Sequence, residues 1–502
     1  MRSWLTGIII IPFMLGGCSL GPAAHRPDSA VDDQSRFIGT NASNGTDPAD
    51  MTHWWKSLGD PTVDTLVDQV VAGNLDLRIA AARVMEAESM LGVAAGQRWP
   101  SLEGSIGRDR RQSTFEFTGG RFSARSTTWT MQLRTAWQVD LFGKLRRGQE
   151  RAMYDLLATR ADRDAMLHTI IAQTVETRAL IATLQEQLEL ARENSDSFES
   201  TANFVESRYD NGVANAVELR LSNENLAFSR SRVPQFQQQL REAEHTLDVL
   251  LGKQPGSGEA LGQTLPDVPP LAIPATGLPI ALLDRRPDLR AAEFRAMGTQ
   301  AGIGVAMADL FPDITISASG GYQSSKTEAW INPQTLIWDL AAQATWKILQ
   351  GGALRANVDA ERARAEAAAA QYAKTVLVAL KEVEDALSAE QLVREQYMQL
   401  RKAADEATEA ERLARQRYER GVENILVVLE TERRKRDAQD RVAAARFALW
   451  QARINLYLAL GGDWGMQAPD DADRVYGDVD PFTSQKPWQK MFDEKNPEDG
   501  DE

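Results

Sequence analysis

The sequence predicts a mixed α and β membrane protein in which each chain gives four strands to a shared β-barrel and continues it with very long α-helices. Three observations predict this. The chain repeats itself at a nearly constant offset, two long tracts are almost free of proline and glycine, and segments ahead of those tracts alternate apolar and polar residues with period two.

The chain opens with Arg2, an apolar run from Trp4 to Leu15, and then Gly16, Gly17 and Cys18. A basic start, a short apolar core and small residues before a cut site make residues 1–17 a secretory signal. The run is too short to span a ~30 Å bilayer as a helix, which takes about 20 residues. Leu-Gly-Gly-Cys resembles the lipobox of bacterial lipoproteins. That resemblance implies that Cys18, the only cysteine of the chain, is lipidated and becomes the mature N-terminus, and that Ser19 after it directs sorting to the outer membrane. Residues 18–54 then read as a lipidated tether of disordered composition.

Composition removes several classes. Lys plus Arg is 56 against 71 Asp plus Glu, a net charge of -15. Nucleic acid as a partner would need a basic surface. One cysteine and four histidines (His25, His53, His168, His245) form no metal-ligand pattern, so no metal or other cofactor is expected. There is no phosphate-binding glycine loop and no nucleophile motif near a turn, and His168 and His245 fall in helical tracts, so an enzyme is not expected. The hydrophobic fraction is 43%, yet no second apolar run reaches the length of a membrane helix. A chain of this kind that crosses a membrane does so as a closed β-barrel.

The duplication is explicit. Asp76, Leu77, Arg78, Arg83, Met85, Gly92, Val93, Ala94 and Pro100 recur 212 residues later, as Asp288 through Pro312. "WQVDLFGKLRR" and "WKILQGGALRA", then "SRYDNGVAN" and "QRYERGVEN", recur at an offset of 209. The repeats occupy 55–253 and 277–465. A Pro- and Gly-rich linker at 254–276 separates them, and an acidic tail follows at 466–502.

Each repeat holds a helix, two strands and a long helical hairpin. Residues 144–233 lack proline and contain only Gly148 and Gly212; residues 353–460 lack proline and contain only Gly421. Ala, Glu, Arg, Leu and Gln fill both tracts. Leu377, Leu380, Val383, Leu387 and Leu392 form an amphipathic seam. An unbroken helix from Gly351 to Arg420 would be about 100 Å long, a rod that only a bundle can use. Gly212 and Gly421 interrupt the rods and predict hairpin tips.

The strands read otherwise. Trp129, Met131, Leu133, Thr135, Trp137 and Val139 share one face, with Thr130, Gln132, Arg134, Gln138 and Asp140 opposite. Leu336, Trp338, Leu340, Ala342, Ala344, Trp346 and Ile348 share a face against Asp339, Gln343, Thr345 and Lys347; Ile314, Ile316, Ala318 and Tyr322 face away from Thr315, Ser317 and Ser319. About ten residues with one apolar and one polar face suit a membrane barrel with a wet lumen. Trp129, Trp137, Trp338, Trp346 and Tyr322 suit interfacial girdles. Four strands cannot enclose a channel, since small barrels need about eight, so the chain must oligomerise; a trimer would supply twelve.

"LLDRRPDLRAAE", "LFPDITISASGGY", "DLFGKLRR" and the paired "RYDNGV" and "RYERGV" resemble the TolC-type outer membrane factors, in the lipoprotein branch with OprM and the NodT-like efflux lipoproteins, over roughly residues 55–465. The resemblance implies a homotrimer with one twelve-stranded outer-membrane barrel and a tapered periplasmic coiled-coil tunnel. Its partners would be a periplasmic adaptor, an inner-membrane pump and outer-membrane lipid. The implied function is a passive duct exporting small molecules in a tripartite efflux system. A protein-secretion conduit and a non-conducting coiled-coil tether remain alternatives.

The tip segment of that family usually carries an aspartate in a pattern like "LLDAQ"; here "VVLETER" puts Glu430 in its place. The resemblance makes Glu430, with Arg417, Arg433 and Arg434 nearby, the expected periplasmic gate, and Glu218 and Arg220 its counterparts in the first repeat. Arg208, Tyr209, Gly212, Val213, Tyr418, Gly421 and Val422 are the expected hairpin-tip surface for adaptor docking.

Overall fold

The computed structural model describes residues 19–29, 37, 53–258, 261, 280, 282–326 and 331–462. Cys18, most of the linker and the acidic tail lie outside the described residues.

Helices α1 (Pro61–Gly73) and α2 (Leu75–Gly96) lead into strands β1 (Ser101–Phe117) and β2 (Gly120–Val139), then into α3 (Lys144–Asp210) and α4 (Ala216–Leu250). A short α5 (Leu282–Arg285) precedes the second round: α6 (Pro287–Ala308), β3 (Asp313–Ser324), β4 (Leu336–Thr345), α7 (Ala353–Glu419) and α8 (Ile425–Ala459). The duplication is reproduced element by element. The helices α2 and α6 both have 22 residues, α3 and α7 both have 67, and α4 and α8 both have 35. At 1.5 Å per residue the 67-residue rods are about 100 Å long.

The local chemistry repeats too. Gly143 and Gly352, at φ 77° and 84°, start the two rods in the left-handed conformation that only glycine adopts freely. The indole N–H of Trp137 donates to the Arg98 carbonyl and that of Trp346 to the Leu310 carbonyl, both at 3.0 Å. Each of these bonds ties the foot of a strand pair to the end of the helix before it.

The long rods have different neighbours along their length. Helix α3 packs on α2 and α6 toward the sheet and on α4 and α8 farther away. The main core lies at mid-length, where Trp54, Trp55, Val67 and Val70 meet Leu167, Ile171 and Val175 of α3, with Tyr372, Val383, Trp450 and Leu456 of the second hairpin. A smaller core of Val205, Ala414, Tyr418, Ile425, Val428 and Leu429 sits at the far end. Helix α4 runs through Pro234, where the proline-free tract of the sequence stops.

The four strands form one antiparallel sheet in the order β1-β2-β3-β4, leaving β1 and β4 as edges. Two strand readings need correction. The alternation read through Trp346 and Ile348 stops as strand at Thr345, because its partner β3 begins at Asp313, directly opposite. Asp140 is not on the polar face of β2: its carboxylate accepts the Leu145 and Arg146 amides at 3.1 and 2.8 Å and caps α3. One feature exceeds the expectation. The hairpin β1–β2 stays paired from Ser101↔Ala136 to Phe117↔Gly120, far past the point where β3 leaves β2 at Trp129↔Ser324.

Of the tether expected at 18–54, the described residues 19–29 are pinned to the body of the protein rather than free. Leu20 donates its amide to the Phe142 carbonyl, and Arg147 donates to the carbonyls of Leu20 and Gly21. The strap crosses α6 where Gly304 lets it approach: a Cβ on Gly21 would lie 2.6 Å from the Gly304 Cα. Farther on, Arg26 pairs with Asp284 at 2.7 Å and with the buried Glu293 at 2.9 Å.

Candidate functional site

The sheet register decides which side chains share a face, since residues directly opposite in an antiparallel pair point the same way. Leu102 and Ile106 of β1 fall on the face of Thr135 and Met131 of β2. Ile314, Ile316, Ala318 and Tyr322 of β3 face the same way, as do Leu336, Trp338, Leu340, Ala342 and Ala344 of β4. One side of the whole sheet is therefore apolar, and it is solvent-exposed in the single chain: Leu102 is 71% exposed, Trp338 78% and Leu340 69%. A continuous exposed apolar face of this size marks a membrane or partner surface. From Val139 to Trp129 it covers ten residue steps, about 33 Å along the strand. Tilted by about 40°, that is close to the ~25 Å apolar band of outer-membrane barrels. Trp137 closes the face at the helical end; Trp129 and Tyr322 close the other end, with Trp338 one row inside.

The opposite face is polar. Glu103, Arg134, Ser319 and Asp339 form one row across all four strands. At the foot of this face, Gln138 donates to Asp313 at 3.0 Å and Lys144 pairs with Asp309 at 2.7 Å.

At the other end of the molecule the two hairpin tips are built alike. Helix α3 ends at Asp210, and Gly212 turns the chain at φ 71° while Val213 donates to the Arg208 carbonyl at 2.8 Å. In the second repeat Gly421 has φ 76° and Val422 donates to the Arg417 carbonyl at 3.0 Å. The tips touch: Tyr418 is buried, its ring meets Phe204 edge-on at 5.6 Å, and the Arg208 guanidinium lies 4.9 Å over it. Burial pushes the Tyr418 hydroxyl above its ordinary pKa. Tyr209, Val213 and Val422 are exposed.

The charged residues expected at the gate divide. Glu430 accepts from Arg434 at 2.7 Å and from Arg433 at 2.8 Å, all on one exposed stretch of α8. These bonds, Arg434 first, hold its carboxyl below the usual range. Arg417 does not join them; it pairs with Glu423 at 3.2 Å, which lies between it and the start of α8. Glu218 serves as a capping box, accepting the Asn215 amide while Asn215 accepts the Glu218 amide. Arg220 is exposed.

The sequence reading missed Glu432. It is buried, accepts from Arg415 at 2.6 Å and from Thr201 at 2.7 Å, and stands near Glu411, which also pairs with Arg415. Burial pushes its carboxyl up to about 6. The signal was available: Ile425, Val428, Leu429, Glu432 and Arg436 follow helical three-and-four spacing, which puts Glu432 on the inner stripe and Glu430 outside it. Among the described residues no cluster of His, Cys, Asp or Glu could hold a metal ion.

A sheet with two open edges and one apolar face, continued by helical rods about 100 Å long, defines a mixed α and β protein of the outer-membrane channel class. The chain belongs to the outer membrane efflux protein family, whose model matches residues 66–253 and 278–462. It is 31% identical over 459 residues to the pyoverdine export outer membrane protein OpmQ of Pseudomonas aeruginosa, covering 90% of this chain and 95% of that one. It is 27% identical over 461 residues to the cation efflux system protein CusC of Escherichia coli, covering 91% and 98%. Among solved structures it resembles the outer-membrane channel OprN, with a TM-score of 0.80 at 30% identity over 89% of this chain and 100% of that one. The open state of the Neisseria gonorrhoeae MtrE channel gives a TM-score of 0.77 at 26% identity over 89% and 99%. These relatives are TolC-type channels, and none is named as an enzyme.

Proposed function

We propose that the protein is the outer-membrane duct of a tripartite efflux system: a passive homotrimer that carries small molecules across the periplasm and outer membrane, fed by an inner-membrane pump through a periplasmic adaptor. One observation carries the reading. The four-stranded sheet has one exposed apolar face, one polar face and two unpaired edges, β1 and β4. Unpaired backbone groups cost several kcal/mol each in lipid, so the sheet is competent only when its edges meet those of other copies. Three copies make twelve strands with the apolar face outward and the row of Glu103, Arg134, Ser319 and Asp339 lining the lumen. A non-conducting tether leaves this sheet without a use. The relatives named for pyoverdine export and cation efflux favour small cargo over proteins.

Lipidation of Cys18 belongs to the same reading. Ser19, the next residue, lies at the junction of β2 and α3: a Cβ on Gly143 would come within 2.9 Å of its Cα. An acyl chain on the preceding residue would start beside the inner edge of the apolar band. The domain limits stay as the duplication draws them: repeats at 55–253 and 277–465, with the tips around Gly212 and Gly421 receiving the adaptor. Purified full-length protein in planar bilayers tests the proposal. We expect discrete conductance steps from a heat-resistant species of three chains; a folded monomer, or an oligomer without conductance, overturns it.

A further inference from the structure

The hairpin β1–β2 reaches past the apolar band, and its two faces differ in chemistry. The turn at 118–119 lies at the end of the sheet opposite the helices, so on the barrel reading, on which this inference rests, the hairpin projects on the outer side of the membrane. The register continues the faces without a break. Arg108 stands opposite Trp129, which is the last apolar residue on the lipid side of β2. Arg110 stands opposite Thr127 and Arg125 opposite Gln112, again on that side, and Glu116 opposite Arg121 nearer the turn. The inward side instead carries Asp109, Arg111, Phe115, Phe117 and Phe122.

Arg121 is neutralised by its cross-strand partner Glu116. Among the described residues no carboxylate pairs with the other three cations of the outward side. Arg108 lies with its guanidinium 5.0 Å over the Trp129 ring, Arg125 donates to the neutral Gln112 at 2.9 Å, and Arg110 is exposed. Residues two apart on a strand, and diagonal neighbours across a pair, are roughly 7 Å apart, so the three guanidinium groups form one patch. It begins where the apolar band ends and extends to Arg125, four residues beyond Trp129, or about 13 Å along the strand. The chain as a whole is acidic, at a net charge of -15, which makes a cation cluster here a local feature rather than a consequence of composition.

We propose that Arg108, Arg110 and Arg125 bind the phosphate groups of outer-leaflet lipid headgroups. The depth is that of a headgroup whose acyl chains lie against Leu102, Ile106 and Met131. The guanidinium fork suits the ligand, because it donates to phosphate oxygens in pairs and stays charged at any working pH. Stacking on Trp129 presents Arg108 at the interface instead of letting it fold back.

The test uses the detergent-purified full-length oligomer and native mass spectrometry, with diphosphoryl lipid A as the probe and its fully dephosphorylated form as comparison. We expect the diphosphoryl form to bind at least about tenfold more tightly than the dephosphorylated one, the scale of one charge-assisted contact. Arg108→Gln, Arg110→Gln and Arg125→Gln together should remove that preference, and the three Lys substitutions should keep part of it. Arg111→Gln, one residue away on the inward face, should change nothing. Equal retention by wild type and the triple Gln variant overturns the inference, as does equal binding of both lipid forms. Full displacement by inorganic phosphate would assign the cluster to free anions and also overturn it. The heat-resistant oligomer is read in each sample: its absence from the wild type sinks the barrel reading itself, whereas its presence with no phosphate preference sinks only this inference.

Discussion

Glu430 and Glu432 stand two residues apart, and their environments oppose one another. Glu430 is a surface carboxylate neutralised by Arg433 and Arg434 on its own helix. Glu432 is buried and held neutral up to about 6. Linkage turns this into a prediction. A folded-state pKa above the unfolded one means that the folded chain binds the proton more tightly. Stability therefore falls as pH rises from the ordinary glutamate value of 4.5 to about 6, and is flat on either side of that window as far as this group is concerned. At ~1.4 kcal/mol per pH unit the change is at most about 2 kcal/mol. Glu432→Gln keeps the shape and cannot ionise. Thermal melts followed by circular dichroism should show a smaller pH dependence between 4.5 and 6 for the variant than for wild type. Parallel pH profiles for the two proteins would show that Arg415 keeps the Glu432 carboxylate charged despite burial.

At the scale of elements, the central strand β2 is the most demanding piece, because its backbone bonds to β1 on one side and β3 on the other. Leu133 lies in its middle, opposite Gly104 and Gly320. Leu133→Pro deletes an amide from the ladder where no edge can absorb the loss. We expect loss of the heat-resistant oligomer on gels, with the helical circular dichroism largely kept; a normal oligomer would mean that the sheet does not hold the copies together. Much of this architecture was legible because period and composition report it directly: the 67-residue rods from missing Pro and Gly, the two sheet faces from alternation, and the second copy of each from the offset. Three features were not legible, each for a physical reason. The long β1–β2 extension mixes charge on both faces, so it has no alternation to read. The end of β4 is set by where β3 starts, which is a property of the pair. The strap at 19–29 has a polar, proline-containing composition, and its order comes from partners such as Gln300, Arg147 and Glu293, more than a hundred residues away in sequence. For the gate, the family pattern pointed to Glu430 as the charged position, but helical phase was needed to see that Glu432 is the buried one.

For the whole molecule, the proposed anchor and the proposed gate lie at opposite ends of about 100 Å of helix and can be tested separately. A barrel holds the outer membrane by itself, and one or two acyl chains add only supplementary affinity. Cys18→Ser with a cleavable signal should still fractionate with the outer membrane as trimers; recovery as soluble periplasmic protein would refute the barrel. The gate prediction follows from charge. In the proposed trimer three copies of Glu430 would approach the narrow end, and each is already neutralised by Arg433 and Arg434 of its own helix, with Arg417 occupied by Glu423. The resting tip is then not held by repulsion among carboxylates. Each copy sets Arg433 and Arg434 against Glu430 here, with Asp437 a more distant partner of Arg433 at 3.8 Å, and within each copy Arg208 and Phe204 pack on Tyr418. Glu430→Ala removes the partner of Arg434 and the nearer partner of Arg433, leaving Arg433 only Asp437 at 3.8 Å, and like charges at short range repel. Two effects are expected together in planar bilayers: a larger single-channel conductance, and a reversal potential shifted toward anions in a salt gradient. Adding Arg433→Ala and Arg434→Ala should restore the reversal potential. A variant with raised conductance but unshifted selectivity would put Glu430 outside the conducting path and leave the tip packing around Tyr418 as the element that opens.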